Sequence, residues 1–420
     1  MSGGGLSLCI VNVNISYNNE EFFILLVGMV LLNACQNQDQ ISTTTNFDLG
    51  SVSNVVKVAE LQLGWQTELI EKSGKFINPR TTEEGHVKYI PLEDWTTGFF
   101  PATMWYMYDL TKNENWKKLG VKYTESIENA KYLTEHHDIG FMINCSFGNA
   151  YRITKNEMYK DVIITAAKSL STRFRPIPGV IQSWDVDKDW QATRGWDCPV
   201  IIDNMMNLEM LFDATRFSGD STFYKIAVSH ADATLANHFR DDFSSYHVVD
   251  YDNGSGEVRS RQTAQGYADE SAWARGQAWA LYGFTVCYRE TKDERYLQLA
   301  ENIYNFIFSH PNMPIDLVPY WDLNAPNIPH EPRDASAAAI TASALYELSL
   351  YGKTEYREVA DKIVASLSSP SYLALVGTNG NFLLMHSVGS IPHNNEIDVP
   401  LNYADYYFLE ALVKKQTFFN

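Results

Sequence analysis

The feature that most restricts the fold of this chain is the rhythm of the connections between its helical segments. Apolar residues recur at three- and four-residue spacing over 53–73, 98–112, 113–131, 139–153, 156–173, 201–216, 220–240, 270–291, 293–309, 333–350, 353–369 and 401–415, with little strand signal between them. Short turns join these segments in pairs. Longer stretches precede the helices starting near 98, 201, 270, 333 and 401, and a shorter one precedes 139. Long loops in a compact domain are usually functional. Six helix pairs whose long loops fall on one side predict an all-α (α/α)6 barrel with those loops on one rim. A helical-repeat solenoid is the alternative, but it would have more uniform loops and a clearer repeat. Small apolar faces such as Ala335 to Leu348 and Ala278 to Phe284 suit helices packed closely on both sides.

Composition matters for two exclusions and one location. A net charge of −18 argues against nucleic acid and anionic lipid surfaces as partners, since both need basic patches. It leaves room for an anionic small substrate, because a few local donors outweigh a distant field. Near the N-terminus, FFILLVGMVLL (22–32) is too short to span a bilayer and fits a signal-peptide core. It runs into Leu32-Asn33-Ala34-Cys35, which resembles a bacterial lipobox with acylation at Cys35, although Glu20 and Glu21 stand where positive charge is usual. A buried helix is the alternative. The chain then divides into a leader (1–35), a linker (36–52) and a catalytic barrel (53–420), and the expected place is the periplasm or outer-membrane surface, held only by a lipid anchor. The remaining cysteines, Cys145, Cys198 and Cys287, form neither a disulfide framework nor a zinc pattern.

If the long loops share a rim, positions more than 200 residues apart meet there. Each motif also has a structural reading. In HHDIGF (136–141), Asp138 is either a functional carboxylate or an N-cap, and neighbouring His side chains diverge too far for a metal pair. In VIIDNMMNL (200–208), Asp203 sits among Ile201, Ile202, Met205 and Met206. Burial there raises a carboxyl pKa, as a proton donor requires, although a helix cap would look the same. In AWARGQAWA (272–280), Arg275 and Trp279 share a helix face and can offer a guanidinium and an indole, or simply belong to the core.

Taken together, DWTTGFFPA (94–102), HHDIGF, IIDNMMN, the Gln265 to Trp279 stretch, RDASAAAI (333–340) and DYYFLEAL (405–412) make the chain resemble glycoside hydrolase family 88, the unsaturated glucuronyl hydrolases. The resemblance implies that Asp203 is the general acid/base and Asp138 the second essential aspartate. It also implies substrate contacts at Trp95, His247, Gln265, Arg275, Trp279 and Trp184. Family members that accept sulfated units place serines and a basic residue in the segment matching HSVGSIPHNNE (386–396). Here Ser387 and Ser390 are present and His393 is the nearest cation. The RGQAW form separates the chain from relatives acting on unsaturated rhamnogalacturonan.

The implied chemistry is hydration of a 4,5-unsaturated uronic acid at the non-reducing end of a lyase-made, glycosaminoglycan-type oligosaccharide, with no metal or organic cofactor. Asp138 is expected to stay charged and hold sugar hydroxyls. Three alternatives stand beside this reading: an unsaturated rhamnogalacturonyl hydrolase, a non-catalytic glycan-binding lipoprotein, and a helical scaffold without chemistry.

Overall fold

The computed structural model describes residues 52–135 and 137–419, so Cys35, its leader and His136 lie outside the described residues. Twelve α-helices occur among the described residues. They are α1 (Val52–Lys72), α2 (Phe99–Thr111), α3 (Glu114–Ser126), α4 (Asn149–Thr154), α5 (Glu157–Ser171), α6 (Leu208–Ser218), α7 (Ser221–Asn237), α8 (Ala274–Thr291), α9 (Glu294–Ser309), α10 (Ala335–Leu348), α11 (Thr354–Leu367) and α12 (Asn402–Phe419). Helix α4 continues a π-helical segment, Gly140–Gly148, and α6 follows a 3-10 segment, Ile202–Asn207.

The even-numbered helices form a ring in sequence, with the π segment that leads into α4 packing on both α2 and α6, α6 on α8, α8 on α10 and α10 on α12, and α12 packs back on α2. That closure makes the six-pair (α/α)6 barrel. Burial separates the two rings. Every residue of α10 and the first fourteen of α8, Ala274–Cys287, are buried, as befits helices with neighbours on all sides. The outer α9 buries only Tyr296, Leu299, Ala300, Ile303, Tyr304 and Ile307, a single stripe at helical spacing.

The short turns share one chemistry. Inner helices end in a left-handed residue (Lys112, Lys155, Gly219, Lys292), and the next residue caps the outer helix. Asn113, Asn156, Asp220 and Asp293 each accept the N–H two residues on. A preceding hydroxyl (Thr111, Thr154, Ser218, Thr291) accepts the cap residue's own N–H. The turn sequences TKN, TKN, SGD and TKD therefore turn the chain from inner to outer ring four times.

Among the described residues nine short strands, few of which the sequence signalled, form four small antiparallel sheets in the long connections. The three-stranded sheet joins β5 (Cys198–Ile201), β6 (Val248–Tyr251) and β7 (Val258–Gln262). Another pairs β8 (Ser387–Ser390) with β9 (Asn395–Val399). A third pairs β1 (Asn78–Glu83) with β2 (His86–Ile90), and β3 (Phe174–Arg175) pairs with β4 (Val180–Ile181). These hairpins build the rim on which the inner helices begin. Among the described residues no helix is long and apolar enough to cross a membrane.

Ring closure leaves little room at the inner contacts. A Cβ on Gly283 of α8 would lie 2.5 Å from Met205 Cβ, whereas one on Gly64 of α1 would meet nothing within 4 Å. Gly283→Ala should therefore destabilise by about 1–3 kcal/mol through overpacking. Gly64→Ala should stabilise by up to about 1 kcal/mol through helix propensity. Thermal melts of the two variants should move in opposite directions.

Candidate active site

A cavity of about 220 Å³ opens on this rim, lined among others by Trp95, Asp138, Trp184, Asp203, Gln265, Arg275 and Ser390. Segments separated by more than 200 residues thus meet in one place. A larger cavity, about 470 Å³, lies between the C-terminal halves of the inner helices, and none of the candidate catalytic or substrate-contacting residues lines it. His247 and Trp279 are buried and do not line the rim cavity, and Ser387 is likewise buried behind it.

The two aspartates reach the cavity from adjacent inner segments, and neither is a cap. Ile139 begins the π segment, and Ile201 and Asn207 precede the 3-10 segment and α6, with no side-chain cap at any of them. The HHDIGF and IIDNMMN motifs are fastened to each other. Asn207 Oδ1 accepts the Gly140 N–H at 2.8 Å, and a Cβ on Gly140 would sit 2.6 Å from that oxygen. Asn204 holds the opposite side by donating to the Ile181 carbonyl at 2.7 Å. Glycine and asparagine in these motifs are therefore there for close approach, and the aspartates are left for chemistry.

Asp203 is 7% exposed. Burial pushes its carboxyl up to about 7, against the opposing pull of the Arg275 charge, its own amide and the nearby Trp279 indole N–H. Asp138 is also raised, first by burial and then by the charge of Asp203, with Arg173 opposing. Two such carboxyls cannot both ionise freely at neutral pH, so the pair retains a proton. The surroundings of Asp138 therefore do not favour its charged form, which differs from the sequence expectation of a permanently ionised partner. The HHD run gave no sign of Asp203 standing beside it.

Behind Asp203 stands His247, whose Nδ1 accepts the backbone N–H groups of Ala264 and Gln265 at 3.0 and 3.1 Å. Nδ1 is thus unprotonated and the ring proton sits on Nε2, which faces Asp203 Oδ1 at 3.7 Å. Burial holds the ring well below the usual histidine range, so it is neutral. His247 consequently offers Asp203 a donor without adding charge.

Arg275 is committed to the protein. It pairs with buried Asp334 at 3.0 Å and donates to the carbonyls of Val388 and Gly389, the latter at 2.7 Å. It thereby fixes β8 and the cavity wall beside Ser390. Ser390 Oγ lies 2.7 Å from His393 Nδ1, and His393 packs against Trp190. On the same side Trp184 stacks on Trp196 and meets Trp190 edge-on. Across the cavity Trp95 leans on Tyr403 at 5.1 Å. Trp279, packed between Phe141 and Tyr407, is buried outside the cavity lining and supports it from behind.

Two positioning residues, Arg80 and Arg173, escaped the sequence reading, and a third, Asp334, was visible only as the start of a helix. Arg80 binds both carboxylate oxygens of Glu396 at 2.6 and 2.8 Å and Asp94 at 2.6 Å, tying β1 to β9 and to the residue before Trp95. Arg173 donates to the carbonyls of Thr134, Gln182 and Ser183 and to Asp185, clamping the Trp184 loop near Asp138. Asp334 caps α10 through the N–H groups of Ser336 and Ala337 while holding Arg275. A lone Arg or Asp in a loop carries no periodic signal, so only the tertiary pairing reveals them. Among the described residues no three His, Cys, Asp or Glu side chains are grouped to hold a metal ion.

The profile of Glycosyl Hydrolase Family 88 matches residues 70–417. An unsaturated glucuronyl hydrolase of Formosa agariphila is 43% identical over 400 residues, covering 94% of this chain and 98% of the relative. A crystal structure of an unsaturated glucuronyl hydrolase specific for heparin superposes with a TM-score of 0.82 at 44% identity, covering 87% of this chain and 97% of that one. A mutant of the Streptococcus agalactiae unsaturated glucuronyl hydrolase, complexed with dGlcA-GalNAc6S, superposes with a TM-score of 0.72 at 29% identity, over 86% and 90% of the two chains.

The raised pKa of Asp203 has a consequence for stability. Its folded value, about 7, exceeds the ordinary 3.8. Its proton is therefore held more tightly when folded, and that contribution is lost as pH rises through 7. Asp203→Asn, which cannot ionise, should raise the melting temperature at pH 8 by more than at pH 5. Equal shifts at the two pH values would mean that Asp203 titrates as an ordinary exposed carboxylate.

Proposed function

The chain belongs to Glycosyl Hydrolase Family 88, and from that premise we propose that it removes the 4,5-unsaturated uronic acid from the non-reducing end of lyase-generated, glycosaminoglycan-type oligosaccharides. The observation that carries the reading is the proton-retaining pair Asp138 and Asp203 in one tryptophan-walled cavity. It is a glycoside hydrolase, and a carboxyl that keeps its proton near neutral pH suits protonation of carbon.

The C4=C5 bond of such a sugar is an enol ether. Asp203, with its carboxyl near 7, delivers a proton to C4, and the cation that develops at C5 is shared with the ring oxygen. The Asp203 carboxylate then takes a proton from the water that adds at C5. The resulting hemiketal opens to a C5 ketone, which leaves C1 as a hemiacetal that expels the rest of the saccharide. His247 Nε2–H steadies the carboxylate that exists between the two transfers. Asp138, Gln265 and the Trp95 and Trp184 walls hold the ring, so that binding and proton transfer rest on separate groups. Both guanidiniums lining the cavity are paired, Arg80 with Glu396 and Asp94, and Arg275 with Asp334. His393 is held below the usual histidine range by burial. A sulfate on the second sugar would thus meet no unpaired guanidinium in the cavity lining itself, while Arg194, stacked on Trp190 and Trp196, stands close enough for its charge to reach His393. We further propose that acylated Cys35 tethers the enzyme to a bacterial membrane facing the periplasm or the cell surface, in keeping with its lipobox-like context.

The test is turnover of an unsaturated disaccharide, read as loss of the double bond's ultraviolet absorbance. Wild-type kcat/KM should fall as pH rises through about 7, where Asp203 loses its proton. Asp203→Asn should lower kcat by about 10²- to 10⁴-fold with affinity largely kept. Asp138→Asn should impair both binding and turnover. Normal turnover by Asp203→Asn would refute the assignment.

A further inference from the structure

Helix α1 is apolar on more than its core-facing side. Val55, Val58, Ala59, Leu63 and Ile70 are buried in the core. An adjoining stripe presents Leu61, Trp65 and Leu69, spaced one turn apart and 45%, 40% and 44% exposed. The patch extends beyond the helix. Gln62 fixes the neighbouring loop by accepting the Gly377 N–H at 2.8 Å and donating to the Thr378 and Phe382 carbonyls. A Cβ on Gly377 would lie 3.1 Å from the Trp65 ring. Next to Gly377 stand Leu375 and Val376, 69% and 38% exposed. Five large apolar side chains thus crowd one outer surface, where single scattered ones are the norm.

We propose that this face of α1, with Leu375 and Val376, is a membrane-contact surface that lies on the lipid bilayer. The inference rests in part on the tether at Cys35 proposed above. From Cys35 to Val52 the chain has 17 residues, which reach at most about 60 Å when fully extended. The first described helix is therefore the element a tethered molecule keeps nearest the lipid. Charge fits as well. The whole chain carries −18, yet residues 52–75 contain Lys57, Lys72 and Lys75 against Glu60, Glu68 and Glu71, a net charge of zero. An indole flanked by two leucines on a neutral helix face suits the headgroup boundary, where Trp is enriched and shallow apolar burial drives binding. Contact there is apolar, so it does not conflict with the exclusion of anionic-surface attraction.

The experiment uses the chain from Gln36 onward, which keeps the whole compact unit Leu49–Asn420. Co-sedimentation with phosphatidylethanolamine–phosphatidylcholine vesicles at millimolar lipid should capture this acyl-free protein, with little dependence on salt. The triple variant Leu61→Ser, Trp65→Ser, Leu69→Ser should bind at least about tenfold more weakly, a loss of roughly 1.4 kcal/mol. Its circular dichroism spectrum and kcat on the disaccharide should be unchanged. Absence of wild-type binding, or equal binding by the variant, overturns the proposal. So does wild-type dimerisation that the variant abolishes, which would make the face a contact between copies. If the variant fails to fold, Leu375→Ser with Val376→Ser in the loop gives the same reading. Mass spectrometry of the native N-terminal peptide tests the tether separately. An unmodified Cys35 with vesicle binding intact would remove the anchor and leave the contact surface standing.

Discussion

The structure depends on the closure of the inner helical ring. Helices that have neighbours on every side must be apolar or paired along most of their length, and the alanine-rich α10, buried at every residue, shows how far that goes. Closure also fixes where polar chemistry can go. Side chains that cannot sit inside the ring collect at the N-terminal ends of the inner helices, where 3-10, π and hairpin segments interrupt regular structure. Asp138 and Asp203 sit at two such interruptions, and the Asn207–Gly140 contact sets their spacing. The reactive pair follows from how two adjacent inner segments dock.

Around that pair the protein places its charges in fixed partnerships. Arg275 and Asp334 are both fully buried, and removing one partner would strand the other at a cost of about 3–5 kcal/mol. The pair supports Asp203 indirectly: its positive end stands close enough to limit how far burial raises the aspartate, while its hydrogen bonds hold β8 in place. Arg80 does the corresponding work on the Trp95 side and Arg173 on the Trp184 side. Three arginines, of which only Arg275 stood out in the sequence, are the struts of the cavity.

Much of this was legible beforehand because helical periodicity is a strong signal. All twelve predicted helical segments correspond to helices here, with ends displaced by a few residues. The 139–153 segment proved to be π-helical before α4, and 201–216 begins as 3-10 turns. No periodic pattern distinguishes those from an α-helix. The rim strands are only two to six residues long, too short for alternation to announce them, and β5 pairs with a strand distant in sequence. Among the site residues, Asp203 was legible from its apolar neighbours. The shared face of Arg275 and Trp279 was read correctly as helical spacing, but spacing cannot tell a guanidinium paired with Asp334 from one left for a ligand. The depth of Trp279 and His247 was hidden for the same reason: burial is a property of the closed ring.

The central claim is that a carboxylic acid in this cavity protonates carbon, and the position of a deuteron reads that step directly. With an unsaturated disaccharide in heavy water, proton NMR at early times should show one deuterium at C4 of the released keto sugar, in a single configuration set by the face that Asp203 presents. Release of a uronic acid that keeps its C4=C5 double bond, or a product without deuterium at C4, would contradict the account.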